Sequence, residues 1–302
     1  MKDLKMNKLY LVLDCNFICH KLKHSMGALK YGEKPTGVIY GFLKQIPFLQ
    51  DMFNTDSIIF CWDSKSSKRK EIFPGYKAKR ANKYKELTPE EYEFEQEFRR
   101  QMKKLRRNYL PEIGYKNVFV QKGYEGDDII ASVCKNLPRD DEAIIITSDQ
   151  DMYQLLSPRV RMYNGTSYPL VTAKSFKKKY GIYPKQWIDV KTLAGCSTDE
   201  VPGIKGVGEI TAIKYILGTL KETTKVYKRI KDEALEQSLL VRSLVCIPFA
   251  GTKVFKLRDD KISKEGWKKV CKMLGMNSIK DKAPIRNVRH AIKKKKSRRK
   301  LL

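Results

Sequence analysis

The sequence has no apolar run long enough to cross a bilayer, only three histidines, and no C-x-x-C pair among its seven cysteines. A spanning helix needs about 20 consecutive apolar residues, so the first absence argues against a membrane protein of that kind. Scattered cysteines argue against a disulfide framework and fit reduced thiols. Cys15, Cys19, His20 and His24 come nearest to a zinc cluster. No second Cys/His group completes four ligands, so they read as helix-packing residues. The stretch from Met1 to Lys8 leads into only a short apolar run, Leu9 to Leu13, too little for a secretory signal. A cytoplasmic location is the expectation. Acids are scarce too: 34 against 62 Lys plus Arg, a formal charge of +28 over 302 residues. That excess predicts a polyanionic partner, nucleic acid rather than membrane, bound with steep salt dependence.

The apolar residues, 41% of the chain, are grouped into short continuous runs. Leu9 to Leu13, Ser57 to Trp62, Asn117 to Val120 and Ala143 to Thr147 read as buried strands, with a shorter one near Val160 to Tyr163. Helical spacing lies between them, as at Val38 to Phe53, where Pro47 marks a break or kink. The expected fold class is α/β: a mostly parallel central sheet with helices on both faces.

The few acids are not scattered. Asp14 and Asp63 directly follow the first two strands, and Ser148-Asp149-Gln150-Asp151 follows the fourth. The turn Gly123-Tyr124-Glu125-Gly126-Asp127-Asp128 packs three carboxylates ahead of the apolar run Ile129-Ile130-Ala131. One such turn alone is equally a solvated helix N-terminus favoured by the dipole. In open α/β sheets, however, ligands bind at the carboxyl ends of the strands. Asp14, Asp63, Glu125, Asp127, Asp128, Asp149 and Asp151 are therefore expected in one cleft. Hard carboxylate oxygens of that kind suit Mg²⁺ or Mn²⁺.

Between Asp63 and the acidic turn runs a long basic excursion, Lys65 to Arg107. Its first half mixes cations with aromatics, including Arg69, Tyr76, Lys77, Lys79 and Arg80, which suits phosphate contacts and base stacking. Its second half is a marked helix: Thr88 as N-cap, Pro89 in the first helical position and Glu91 closing a capping box. Farther on, Pro184 to Gly195 reads as a helix with Trp187, Ile188, Val190 and Leu193 inward. Then Gly203, Lys205, Gly206, Gly208 and Thr211 lie in a glycine-rich turn between helices. Its backbone N–H groups can face a phosphate, unless it is a plain connector. It is not a dinucleotide fingerprint, because no strand precedes it and the spacing differs. Helices are expected over Leu217 to Leu244 and Lys264 to Leu274, and Lys293 to Lys300 reads as a disordered basic tail.

Taken in order, these motifs resemble the 5′-nuclease superfamily: phage flap endonucleases and 5′→3′ exonucleases, and the 5′-nuclease domain of bacterial DNA polymerase I. The resemblance covers roughly residues 8 to 275. It implies a PIN-like α/β core over 1–180 and a basic helical arch at about 64–110. It also implies a helical DNA-binding region with a helix–three-turn–helix over 181–285, ahead of a basic tail at 286–302. Asp14 and Asp63 stand at the family's first two strand-end aspartates, with Lys21 where a basic phosphate contact is usual. Lys77 and Arg80 match the arch segment that faces the scissile phosphate. Glu125, Asp127 and Asp128 match E-x-D-D, and Asp149 and Asp151 match S-D-x-D. Gly203 to Thr211 resembles the helix–three-turn–helix that grips duplex DNA and, in relatives, holds K⁺.

One position departs from the pattern. The family reads G-D-x-x-D ahead of Pro-Gly, whereas here Cys196 follows Gly195, Asp199 keeps the later place, and Glu200 replaces the usual Asn. A thiol is a poor ligand for a hard cation, so the second subsite (Asp149, Asp151, Asp199) lacks one carboxylate. The activity implied is a two-metal, Mg²⁺- or Mn²⁺-dependent 5′-nuclease cutting DNA flaps, 5′ ends or RNA/DNA primer ends in replication or repair, as a monomer. Two other readings stand beside it: a PIN-type single-strand ribonuclease, and a non-catalytic flap-binding protein with a decayed second subsite.

Overall fold

The computed structural model describes residues 7–165 and 170–285. Its fold class is the expected α/β, with a mostly parallel sheet of five strands and surrounding helices. The chain packs into two compact units: Met1–Trp62, Pro89–Phe119 and Lys256–Leu302 form one, Asp63–Thr88 and Val120–Phe255 the other.

In the first unit β1 (Leu9–Asp14) and β4 (Ser57–Trp62) pair in parallel from Tyr10–Ser57 to Asp14–Cys61, and β5 (Val118–Val120) flanks β4. Both long strands are buried through their length, which is why their sequences are continuous apolar runs rather than alternating ones. Asp14 ends β1 and starts α1 (Cys15–Met26), where its Oδ1 accepts the Phe17 N–H at 3.0 Å. Cys15, Ile18, Cys19 and Leu22 form the buried stripe of α1, so the two cysteines pack the core as expected, and burial pushes both thiols well up. A small hairpin, β2 (Lys30–Tyr31) and β3 (Lys34–Pro35), leads to α2 (Gly37–Phe53).

Of the break or kink expected at Pro47, the break does not occur: α2 is one helix with Pro47 inside it. The lost hydrogen bond is outweighed by a long apolar face that includes Val38, Phe42, Ile46, Leu49 and Phe53, all buried. α5 (Pro89–Lys104) starts where the capping signal put it and continues through a π turn at Leu105–Tyr109 into α6 (Leu110–Ile113). Its Glu95 is buried in an ion pair with Lys23, and Gln101 Oε1 accepts the Val38 and Ile39 N–H groups at 3.2 and 3.4 Å. Those two donors are otherwise orphans at the start of α2, so α5 is a structural helix of this unit. α12 (Lys264–Met273) closes it, with buried Trp267 donating Nε1–H to the Ile279 carbonyl at 2.8 Å.

The second unit holds α3 (Ser67–Ile72), α4 (Ala78–Lys85), α7 (Gly126–Lys135) and the parallel pair β6 (Glu142–Ile146) and β7 (Val160–Tyr163). After these come α8 (Ala173–Tyr180), α9 (Trp187–Ala194), α10 (Glu209–Ile216) and α11 (Lys225–Val245). Of the range 217–244 where helices are expected, the helical part is α11, which starts only at Lys225. Gly218 turns the chain at φ 69°, and Thr224 caps α11 by accepting the Tyr227 N–H. On α9 Trp187, Val190 and Leu193 face inward as expected, and Lys191 is buried with them. Among the described residues no helix is long and apolar enough to cross a membrane. The basic run 293–300 lies outside the described residues.

Candidate metal and phosphate site

The acidic turn begins α7 in the second unit, and its last carboxylate is fully committed to protein. Asp128 Oδ1 accepts Arg69 Nη2 at 2.8 Å and the Phe249 N–H at 2.9 Å. Oδ2 accepts Arg69 Nη1 at 2.7 Å and the Glu125 N–H at 3.1 Å. Two donors on each oxygen leave this completely buried group no place for a cation. Asp128 was expected to ligate metal; the structure makes it the N3 residue of a helix cap and the anchor of Arg69. Arg69 was expected on nucleic acid, and is corrected likewise. It is buried, its Nε donates to the Leu244 carbonyl at 2.9 Å, and its guanidinium lies 4.7 Å from the Phe249 ring centre. Desolvation pulls its pKa down, but the Asp128 carboxylate outweighs that and leaves it raised.

Glu125 stays in play. Its oxygens face Lys77 Nζ at 2.5 Å and the Tyr76 hydroxyl at 2.8 Å. Burial pushes its pKa up, but Lys77 and Arg69 more than reverse this and hold it below the ordinary range. Tyr76 was expected to stack on bases. Instead its ring is buried with Val201, Val241, Leu244 and Val245, because an aromatic with one polar tip fits where the tip meets an acid. That hydroxyl also lies 3.0 Å from Asp199 Oδ2. Lys77 sits in the left-handed region at φ 51° just ahead of α4, which turns its ammonium between Glu125 and Asp199, the latter at 3.4 Å. Desolvation lowers the Lys77 pKa, yet the two carboxylates leave it raised. Arg80 reaches Asp199 Oδ1 at 3.1 Å and is otherwise exposed. Lys79 directs its side chain to solvent, 4.0 Å from Glu200.

Asp63 accepts the Gly126 N–H at 2.6 Å, which ties the end of the second strand-run to the acidic turn. Asp63 as a residue is exposed, while its carboxyl is desolvated by the protein around it. That desolvation, with a contribution from the Glu125 charge, pushes its pKa up to about 6 against the pull of Gly126, Lys77 and Arg80. Asp127 is half-buried in the first turn of α7. Asp149 is exposed and accepts the Asp151 N–H at 2.8 Å, starting a short 3₁₀ turn. Asp151, Cys196 and Asp199 bring ligand atoms within 4.8 Å of one another. Thus Asp63, Glu125, Asp127, Asp151 and Asp199 lie in one unit with Lys77 and Arg80. Asp14, buried at the end of β1, and Lys21, exposed on α1, belong to the other unit.

The Glu125 side offers carboxylate oxygens, the donor type a hard cation takes, although the group whose ligand atoms converge within 4.8 Å among the described residues is Asp151, Cys196 and Asp199. The thiol in that group suits a hard cation poorly. Burial raises the pKa of that thiol, against the pull of its contact with Thr198 Oγ1 at 3.1 Å. A protonated thiol offers a hard ion little.

The turn at 203–211 separates three reasons for glycine. A Cβ on Gly203 would lie 2.1 Å from the Ala194 carbonyl oxygen, so the backbones meet there. Gly206 needs φ 82°. Gly208 needs neither: its φ is −100° and a Cβ would meet nothing within 4 Å. The Lys205 side chain is exposed, and its carbonyl accepts Arg229 Nη1 at 2.7 Å; Thr211 is half-buried on α10.

Sequence reasoning missed Lys191, whose Nζ lies 3.1 Å from Asp151 Oδ1 and 3.0 Å from Glu209 Oε1. A signal was present: it follows Trp187 by one helical turn, which puts a lysine on an otherwise inward face.

Comparison with known proteins gives a consistent picture. Residues 9–181 match the model of the 5′-3′ exonuclease N-terminal resolvase-like domain. The thermostable DNA polymerase I of Thermus aquaticus is 34% identical over 76% of this chain, which spans 26% of that protein's length. The chain thus matches about a quarter of such polymerases. The 5′-3′ exonucleases of Buchnera aphidicola subsp. Schizaphis graminum and of Bacillus subtilis are 34% and 33% identical. The first match covers 66% of both chains; the second covers 60% of this one and 59% of the relative. Among solved structures, T5 5′-exonuclease with bound divalent metal ions (zinc) shares the fold at TM-score 0.67 and 22% identity, covering 80% of this chain and 90% of that one. The catalytic core of Rad2 in complex with DNA substrate does so at 0.55 and 18%, covering 89% and 88%.

Proposed function

Because the chain belongs to the 5′-3′ exonuclease family, we propose that it is a divalent-metal-dependent 5′-nuclease that hydrolyses phosphodiester bonds near 5′ ends of DNA, including 5′ flaps. The observation that carries this reading is the placement of Lys77 and Arg80 on the carboxylates Glu125 and Asp199, with Asp63 tied to the same turn. Acids alone would suit many metal proteins. Acids interleaved with two cations from one short helix start suit a phosphodiester, whose own charge must be offset while a cation is held beside it.

Asp63, Glu125, Asp127 and Asp199 would hold Mg²⁺ or Mn²⁺, which when bound supplies a Lewis acid and a water of lowered pKa. The chain's own residues do the rest. Tyr76 fixes the Glu125 and Asp199 carboxylates relative to each other. Lys77, held between those carboxylates, would offset charge that grows on the phosphoryl oxygens. Arg80, more exposed, meets the incoming phosphate first. The 203–211 turn grips duplex DNA through its backbone, with Gly208 left bare for the approach, and takes K⁺ there. An RNA/DNA primer end is accepted at the same site, and the enzyme acts as a monomer in the cytoplasm.

The test is cleavage of 5′-labelled flap DNA, plain duplex and single-stranded RNA, each with Mg²⁺ and with chelator. Metal-dependent release of the flap in preference to the other substrates is expected. Equal cutting of single-stranded RNA would favour a ribonuclease of PIN type instead, and binding without cutting in any metal a flap-binding protein.

A further inference from the structure

The geometry points to a second cation subsite that carries its own cation, Lys191, so that the protein binds one divalent ion tightly where a symmetric acidic site would bind two. The inference rests on the nuclease reading for its purpose, but its geometry is independent of it.

Four observations converge. The thiol of Cys196 occupies a corner of the group formed with Asp151 and Asp199, and a soft sulfur there is a poor donor to a hard cation. Lys191 is buried on α9, one helical turn ahead of Gly195, and holds its ammonium 3.1 Å from Asp151 Oδ1. Glu209, the first residue of α10, anchors the same ammonium from the other side at 3.0 Å. Asp199, the remaining carboxylate of the group, is already flanked by Arg80, Lys77 and the Tyr76 hydroxyl. Asp151 and Asp199 therefore each have a protein cation beside them, while Asp149 is exposed toward solvent.

A divalent ion entering here must displace a buried ammonium and gain two carboxylates where a fully acidic site offers more. On the Glu125 side Lys77 also competes, its side chain 12% exposed between Glu125 and Asp199, but no thiol takes the place of a carboxylate there. Lys191, 11% exposed, lies between Asp151 and Glu209 and packs near the Trp187 ring, 5.9 Å from its centre. A tethered ammonium can still steady charge on a leaving oxygen, as a point cation that need not be loaded from solution.

The test is a Mn²⁺ titration of the metal-free full chain, read by calorimetry and by electron paramagnetic resonance. The wild type should take up one ion, with any second at least about 100-fold weaker, and show no spin coupling between ions. Cys196→Asp should strengthen the second event, and Cys196→Asp with Lys191→Met should give two comparable, coupled ions. Lys191→Arg should keep the one-ion pattern. If the double variant fails to fold, as thermal melting will show, Cys196→Asp alone decides. Two comparable ions in the wild type would overturn the inference, as would a second event that neither Cys196→Asp nor the double variant strengthens. These outcomes concern ion stoichiometry; absence of cleavage in every metal would instead count against the nuclease reading.

Discussion

At the scale of the residue, chemistry and architecture divide inside a single acidic turn. Asp128 accepts four hydrogen bonds, two of them from one buried guanidinium, and is an architectural residue. Replacing it with Asn leaves Arg69 charged and buried with half its partner gone. Asp128→Asn should cost about 3–5 kcal/mol by urea unfolding, and a loss under about 1 kcal/mol would contradict this role. Lys77 is the opposite case. Its ammonium is shared by two carboxylates and is expected on the phosphate during the reaction, so Lys77→Ala should lower kcat by about 10²-fold or more while flap affinity changes little. Single-turnover rates against binding isotherms in Ca²⁺ separate the two quantities; a change in affinity alone would make Lys77 an ordinary phosphate contact. The sequence motif grouped Glu125, Asp127 and Asp128 as equals. It could not reveal that Arg69 lies opposite Asp128, because the donors that saturate it come from residues as distant as Phe249.

At the scale of the element, the loops that start helices do most of the positioning. Lys77 takes a left-handed conformation ahead of α4, and Glu200 does the same at φ 59° where the family has Asn, a residue that tolerates it better. Glu200 is compensated by accepting the Lys79 N–H at 2.6 Å, which joins the α4 start to the 196–201 loop. The glycine turn offers a clean contrast. Gly203→Ala would force a Cβ to 2.1 Å from a backbone oxygen and should destabilise by about 2–4 kcal/mol in thermal or urea melts. Gly208→Ala meets open space, so it should leave the melting temperature within about 2 °C while lowering duplex-DNA affinity. Unchanged affinity would mean that this glycine keeps no path open for a ligand backbone. Strand positions and the capping of α5 were legible because buried parallel strands and capping boxes are local signals. The unbroken α2 and the burial of Tyr76 were not, since tertiary packing decides both.

At the scale of the whole molecule, a chain with a formal charge of +28 gathers Asp63, Glu125, Asp127, Asp151 and Asp199 in one unit and sets bases beside them. The sequence announced both halves of that design: composition pointed to a polyanion, and strand-end acids to metal. What it could not announce was which acids the fold would spend on structure, and that a lysine on an inward helix face would enter the second subsite. The most direct test of the central claim is the single-turnover cleavage rate of 5′-flap DNA against Mg²⁺ concentration, for the wild type and for Glu125→Gln. Glu125 keeps its Tyr76 partner as Gln but loses its charge, so its fold should survive and its ion should not. The wild type should cut at the junction with a saturable Mg²⁺ dependence, and Glu125→Gln should be slower by about 10²-fold or more at every concentration. Cleavage by Glu125→Gln at the wild-type rate, or cleavage by either protein in excess chelator, would contradict the account.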